Sequence, residues 1–103
     1  MKSRADFSEK LHQVIPSNFH FYFQPPSGTK IVYPACMYKR YDDNVLRADN
    51  QFYRGMIGYQ VTIVTKEEDG DLYETIMSAF PHAMRINSFI TENLYHTVYK
   101  IYY

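Results

Sequence analysis

Apolar side chains recur along this chain in two periods, and the switches between them outline its elements. Phe7, Leu11, Val14 and Ile15 fall at helical spacing and make one stripe. Asp6 stands before them as an N-cap, with Glu9 three residues on, the arrangement of a capping box. Pro16 ends the pattern, because the residue before a proline avoids the α region. Phe19-His20-Phe21-Tyr22-Phe23 then reads as a short strand, followed by a turn at Pro25-Pro26-Ser27-Gly28. Ile31 to Arg40 reads as a second strand. Pro34 lies inside it and cannot donate to a ladder, which assigns this strand to an edge or a bulge.

Residues 42–53 are polar and mixed in charge, a connection longer than the ~2–5 residues of an ordinary hairpin loop. Val45, Leu46 and Phe52 are its apolar members. Met56 to Thr65 gives the clearest strand: Ile57, Tyr59, Val61 and Ile63 alternate with Gly58, Gln60, Thr62 and Val64. Gly58 is expected to mark a bulge or a close approach by another backbone. After the charged stretch Lys66 to Gly70, Asp71 caps a second helix with Glu74 three residues on. Leu72, Ile76, Ala79 and Phe80 form its buried stripe, and Pro81 stops it.

Arg85 to Ile90 and Leu94 to Tyr103 read as two strands joined at Thr91-Glu92-Asn93. The last strand sets Tyr95, Thr97, Tyr99, Ile101 and Tyr103 on one face, with His96, Val98, Lys100 and Tyr102 on the other. The expected class is α/β in the broad sense. More closely, it is an α+β domain over residues 1–103, with two helices and a mixed four- to five-stranded sheet in the order α-β-β-β-α-β-β. Residues 66–83 are long enough for a helical crossover, which would let the third and fourth strands pair in parallel.

Composition sharpens this. A chain of 103 residues buries roughly two-thirds of its unfolded surface on folding, enough for one core. Eleven basic and eleven acidic side chains cancel, so the basic surplus of a phosphate-gripping domain is missing. Eleven Tyr and seven Phe, without Trp, are an aromatic excess that suits either strands or surfaces half-buried on association. Cys36 is alone, so the fold is expected to rest on its core rather than on a disulfide. The start, Met1-Lys2-Ser3-Arg4-Ala5-Asp6, lacks the apolar region of a secretory signal. Ile31 to Tyr38, interrupted by Pro34, falls well short of the ~20 residues of a membrane helix. A soluble protein made in a cytoplasm is expected.

Candidate chemistry is sparse. His12, His20, His82 and His96 show no metal-site spacing and read as surface or packing residues. Cys36 sits in an apolar stretch with nothing adjacent to lower its pKa, and reads as a small buried hydrophobe. The acidic run Glu67-Glu68-Asp69-Gly70-Asp71 fails as a calcium loop. Matching Gly70 to the loop's glycine puts Ile76, which has no oxygen, where a bidentate Glu is required. The glycines at 28, 55, 58 and 70 form no phosphate cradle, and no nucleophile elbow occurs. No enzyme is expected, and no cofactor. Arg40, Arg47 and Arg54 bracket the long loop, where Asp42, Asp43 and Asp49 are available to neutralise them.

The layout resembles the tail-completion, or tail-terminator, proteins of siphophages, which join tail to head. The resemblance runs through the short amphipathic helix, a strand and a proline-containing turn. A strand follows, approximated by Gly28-Thr29-Lys30-Ile31-Val32-Tyr33, then a polar loop. Tyr59-Gln60-Val61-Thr62-Ile63 matches an aromatic-bearing strand, before an acidic turn, a helix and two final strands. The aromatic end, Tyr99-Lys100-Ile101-Tyr102-Tyr103, departs from that pattern.

The resemblance implies a structural virion protein at the head–tail interface. Its copies form a hexameric ring that caps the tail tube, stops tube polymerisation and presents a surface to the head connector. Its partners are then itself, the tail tube protein and the head-completion or connector protein, with DNA only passing through the bore. Low net charge suits such a bore. A closed ring needs two different patches per subunit. The candidates for them are the long loop and the Tyr-rich faces: Arg40, Val45, Leu46, Arg47, Phe52, Arg54, Tyr99 and Tyr102. Three other readings stay open. One is a head-completion or connector protein, another is a single-stranded nucleic-acid-binding module that stacks bases on its Tyr-rich strands, and the third is a small enzyme with a site built from His, Tyr and Asp across the fold.

Overall fold

The computed structural model of the chain describes residues 4–40, 56–68 and 70–103. The elements are helix α1 (Arg4–Val14), strands β1 (His20–Phe23), β2 (Ala35–Arg40) and β3 (Gly58–Thr65), helix α2 (Leu72–Ala79), and strands β4 (Ala83–Thr91) and β5 (Leu94–Tyr102). This is the expected α-β-β-β-α-β-β order, with five strands in one mixed sheet ordered β1-β2-β3-β5-β4.

Both helices cover the same face. Phe7, Leu11 and Ile15 from the first helical segment, and Leu72, Ile76 and Phe80 from the second, join one buried cluster. The sheet contributes Cys36, Tyr38, Tyr59, Val61, Ile63, Tyr99 and Ile101. Cross-strand register sets Cys36 beside Ile63, Tyr38 beside Val61, and Val61 beside Tyr99, so these side chains lie on one face of the pleat. The helical and strand stripes read from the sequence are therefore the core.

Four local expectations give way. First, α1 begins at Arg4, which places Asp6 in its first turn rather than at its cap. Second, the Asp71 side chain makes no cap hydrogen bond; its backbone carbonyl instead accepts from the amide and the hydroxyl of Thr75. Third, β2 is not an edge strand. It starts after Pro34 and is paired on both sides, in parallel to β1 and antiparallel to β3. The missing donor of Pro34 costs nothing outside the ladder, and its carbonyl accepts from the His20 amide. Fourth, Gly58 opens β3 opposite Tyr102 in unbroken register, while the register shift falls in β4 between Arg85 and Asn87.

The crossover through α2 also ends differently. β4 runs parallel to β3 but does not touch it, because β5 turns back and inserts between them, antiparallel to both. The hairpin makes this easy: Thr91 pairs with Leu94, and Glu92 and Asn93 both adopt positive φ, 52° and 63°. A two-residue loop with both φ positive matches the twist of the strands it joins.

Candidate interaction surface

The sheet ends laterally in β1 and β4. β1 is four residues long and is held on its helix face. His12 stacks on Phe21 with ring centroids 3.8 Å apart, and the Arg4 guanidinium lies 4.2 Å from the Phe23 ring centre. β4 is nine residues long, and every one after Ala83 is exposed. Met84, Ile86, Phe89 and Ile90 are 45%, 43%, 40% and 64% exposed, so four of the five exposed large hydrophobics among the described residues sit on one lateral strand. Arg85 is its single charged residue.

The shift at Arg85/Asn87 sorts these side chains. Met84 lies opposite Lys100 and Phe89 opposite His96, on the sheet face away from the helices; the Phe89 and His96 rings stack at 4.7 Å and 9°. Arg85, Ser88 and Ile90 face Tyr99, Thr97 and Tyr95 on the helix side. There α2 stops short of the hairpin, leaving a groove of about 560 Å³. Tyr73 forms its wall, stacked near Tyr99 at 6.4 Å and carrying the Arg85 guanidinium 4.5 Å from its ring centre. A strand laid along β4 would drop alternate side chains into this groove and the rest onto Met84 and Phe89.

Of the residues named from the sequence, Arg40 is exposed at the end of β2, lining a separate depression with Gln24, Lys39 and Gln60 on the opposite side of the sheet order from β4. Val45, Leu46, Arg47, Phe52 and Arg54 lie outside the described residues. Tyr99 and Tyr102 require correction as surface candidates. They are 0% and 4% exposed: β5 is interior to the sheet, Tyr99 belongs to the core cluster beneath the helices, and Tyr102 is buried on the opposite face of the strand. Tyr38 and Tyr59 are buried too, so a base-stacking platform on the strands loses these rings.

β4 was missed as a surface, although its pattern carries a signal. Met84 and Phe89 are five apart, an odd spacing that puts them on opposite faces of a regular strand. Only an inserted residue returns them to one face. Cys36 is fully buried, and burial pushes its thiol far above the ordinary range, so it holds no reactive thiolate. Among the described residues, no three His, Cys, Asp or Glu side chains converge, and no helix is long and apolar enough to cross a membrane.

Fold and edge together define an α+β protein with both helices on one sheet face and a long, apolar, exposed lateral strand. No protein-family model, curated protein or solved structure matches the chain.

Proposed function

We propose that this chain is a structural assembly subunit that joins copies of itself through its sheet edges, in the manner of a ring-forming tail-completion protein of a tailed phage. The observation that carries the reading is β4: nine residues at the sheet's end, with Met84, Ile86, Phe89 and Ile90 exposed. Folded proteins blunt such edges with charge, shortness or a covering element, because unpaired backbone groups flanked by apolar side chains recruit another strand. Here one arginine, already seated on Tyr73, is the whole of the strand's charge.

The strand order supplies the second patch. Continuing the sheet from β4 of one copy into β1 of the next is antiparallel and head to tail, the kind of contact that closes rings. On the helix face Phe21 and Phe23 would lie on the side of Ile90, and on the far face Tyr22 on the side of Phe89, favourable cross-strand neighbours. Zero net charge adds no repulsion between copies. Binding and geometry are then the whole mechanism, and in this reading the ring would cap a tail tube and meet a head connector.

Light scattering on a sizing column over a range of concentrations, followed by electron microscopy, tests this. A closed multimer with a central bore is the expected result. A monomer at every concentration overturns self-assembly.

A further inference from the structure

The five strands together carry Lys39, Arg40, Arg85 and Lys100 and not one Asp or Glu. Zero net charge therefore hides a separation. Lys39 pairs with Gln60 and Gln60 with Lys100, so the two lysines flank Gln60 in one row on the sheet face turned away from the helices. Arg40 ends the same strand as Lys39, and Arg4 lies over Phe23, whose cross-strand neighbour is Tyr38. Arg4, Lys39 and Arg40 are exposed. Lys39 and Arg40 line the depression of about 420 Å³ whose walls include Gln24, Gln60 and Thr62 but no carboxylate. Asp6 is the described acid set against this basic end.

The opposite charge lies at the far end of β3. Thr65 follows Gln60 by about 17 Å along the strand. Beyond it come Glu67, Glu68, Asp71 and Glu74, all exposed, with Lys66 as their one basic neighbour. Residues 41–55 hold three Asp and two Arg, so they take a single charge from the basic end, while Asp69 adds one to the acidic turn. The separation survives both.

We infer that the basic end of one copy receives the acidic turn at 66–74 of a second copy, with Glu67 and Glu68 meeting Lys39 and Arg40. The occupant is a second copy because the complementary charge is already on the chain and exposed. With no net charge the protein has no long-range pull on a polyanion, whereas unlike ends of two copies attract and like ends repel. The contact is head to tail and uses two different patches. It acts along the strands rather than across the sheet edges, and does not depend on pairing at β4.

The test reverses each end, with Lys39→Glu/Arg40→Glu and Glu67→Lys/Glu68→Lys. All four positions are exposed, so both variants should melt as wild type does. Lys39→Glu alone replaces its pair if the double variant melts early. Light scattering reads association from about 0.01 to about 1 M salt, over which the screening length falls from about 30 to about 3 Å. At low salt each reversal is expected to weaken association about tenfold, and an equimolar mixture of the two to recover it. High salt should remove these differences. A wild type that stays monomeric at low salt, or association that ignores both salt and the reversals, overturns the inference. In the second case, dissociation by Ile90→Lys leaves the edge reading standing. If a single-stranded oligothymidylate binds wild type but not Lys39→Glu/Arg40→Glu, while neither reversal alters self-association, the basic end serves nucleic acid and the inference is overturned.

Discussion

The rings of Phe7 and Tyr59 lie face to face, centroids 3.9 Å apart and planes within 4°, which fastens α1 to the strand β3. Phe7 also meets Tyr38, Phe80 and Tyr103 at centroid distances of 5.9, 5.6 and 5.7 Å, and is itself fully buried. One side chain thus ties both helical segments to three strands or their ends. Phe7→Ala should cost about 3–5 kcal/mol in urea unfolding, a large share of the ~5–15 kcal/mol of a typical domain. Phe7→Leu, which keeps most of the volume, should cost clearly less.

Under that stack, the Tyr59 hydroxyl is buried and has no hydrogen-bond partner among the described residues. Tyr59→Phe removes the orphan and keeps the ring, so stability should hold or rise by about 1 kcal/mol. Burial raises the phenol's pKa above its ordinary 10.0, with the charges of Arg40 and Arg4 pulling it back in part. The folded state therefore favours the protonated phenol. That contribution is complete below pH ~10 and is lost as pH climbs through the raised folded value. Alkaline melting curves should fall more steeply for wild type than for Tyr59→Phe.

Cys36 is sealed beneath the helices, its thiol held protonated by burial. A thiol reagent such as dithionitrobenzoate should leave the native protein unmodified and react fully once the chain is unfolded. Labelling at the rate of a free peptide thiol under native conditions would contradict the packing of β2.

The β4–β5 turn offers a stabilising change. Glu92 and Asn93 hold φ of 52° and 63°, a region that costs residues with a Cβ and suits Asn-Gly best. Converting Glu92-Asn93 to Asn-Gly should raise thermal stability by about 1 kcal/mol without changing association.

Ile90 is 64% exposed, so Ile90→Lys should change unfolding free energy by less than about 0.5 kcal/mol. Association measured by light scattering should nevertheless weaken, since a lysine on a lateral strand opposes pairing. Unaltered assembly would remove β4 from the contact.

Periodicity made the core legible before the coordinates. Phe7, Leu11 and Ile15, the alternation through Tyr59, Val61 and Ile63, and the Leu72–Ile76–Phe80 stripe are all buried together. Strand order was not legible, because β5 is chosen as the neighbour of β3 by packing between segments far apart in sequence. The same limit misplaced Tyr99 and Tyr102. A Tyr-rich strand looks identical in sequence whether it ends the sheet or fills its middle, and only its position between β3 and β4 decides. β4 hid for the opposite reason: its bulge scrambled the alternation that marks a strand's faces.

The insertion of β5 has a further consequence for how the fold is reached during synthesis. When β3, α2 and β4 have emerged from the ribosome, β3 still lacks its partner on that side and β4 has no partner at all. Both ladders are completed by Leu94–Tyr102 alone. A nascent chain stalled before that segment leaves one flank of β3 and both flanks of β4 unpaired, where in the finished sheet these two strands keep only the outer flank of β4 open, and open flanks are the condition most prone to wrong pairing. The sheet is thus secured late, by a strand that docks as a wedge, and the native edge at β4 is defined only at that moment.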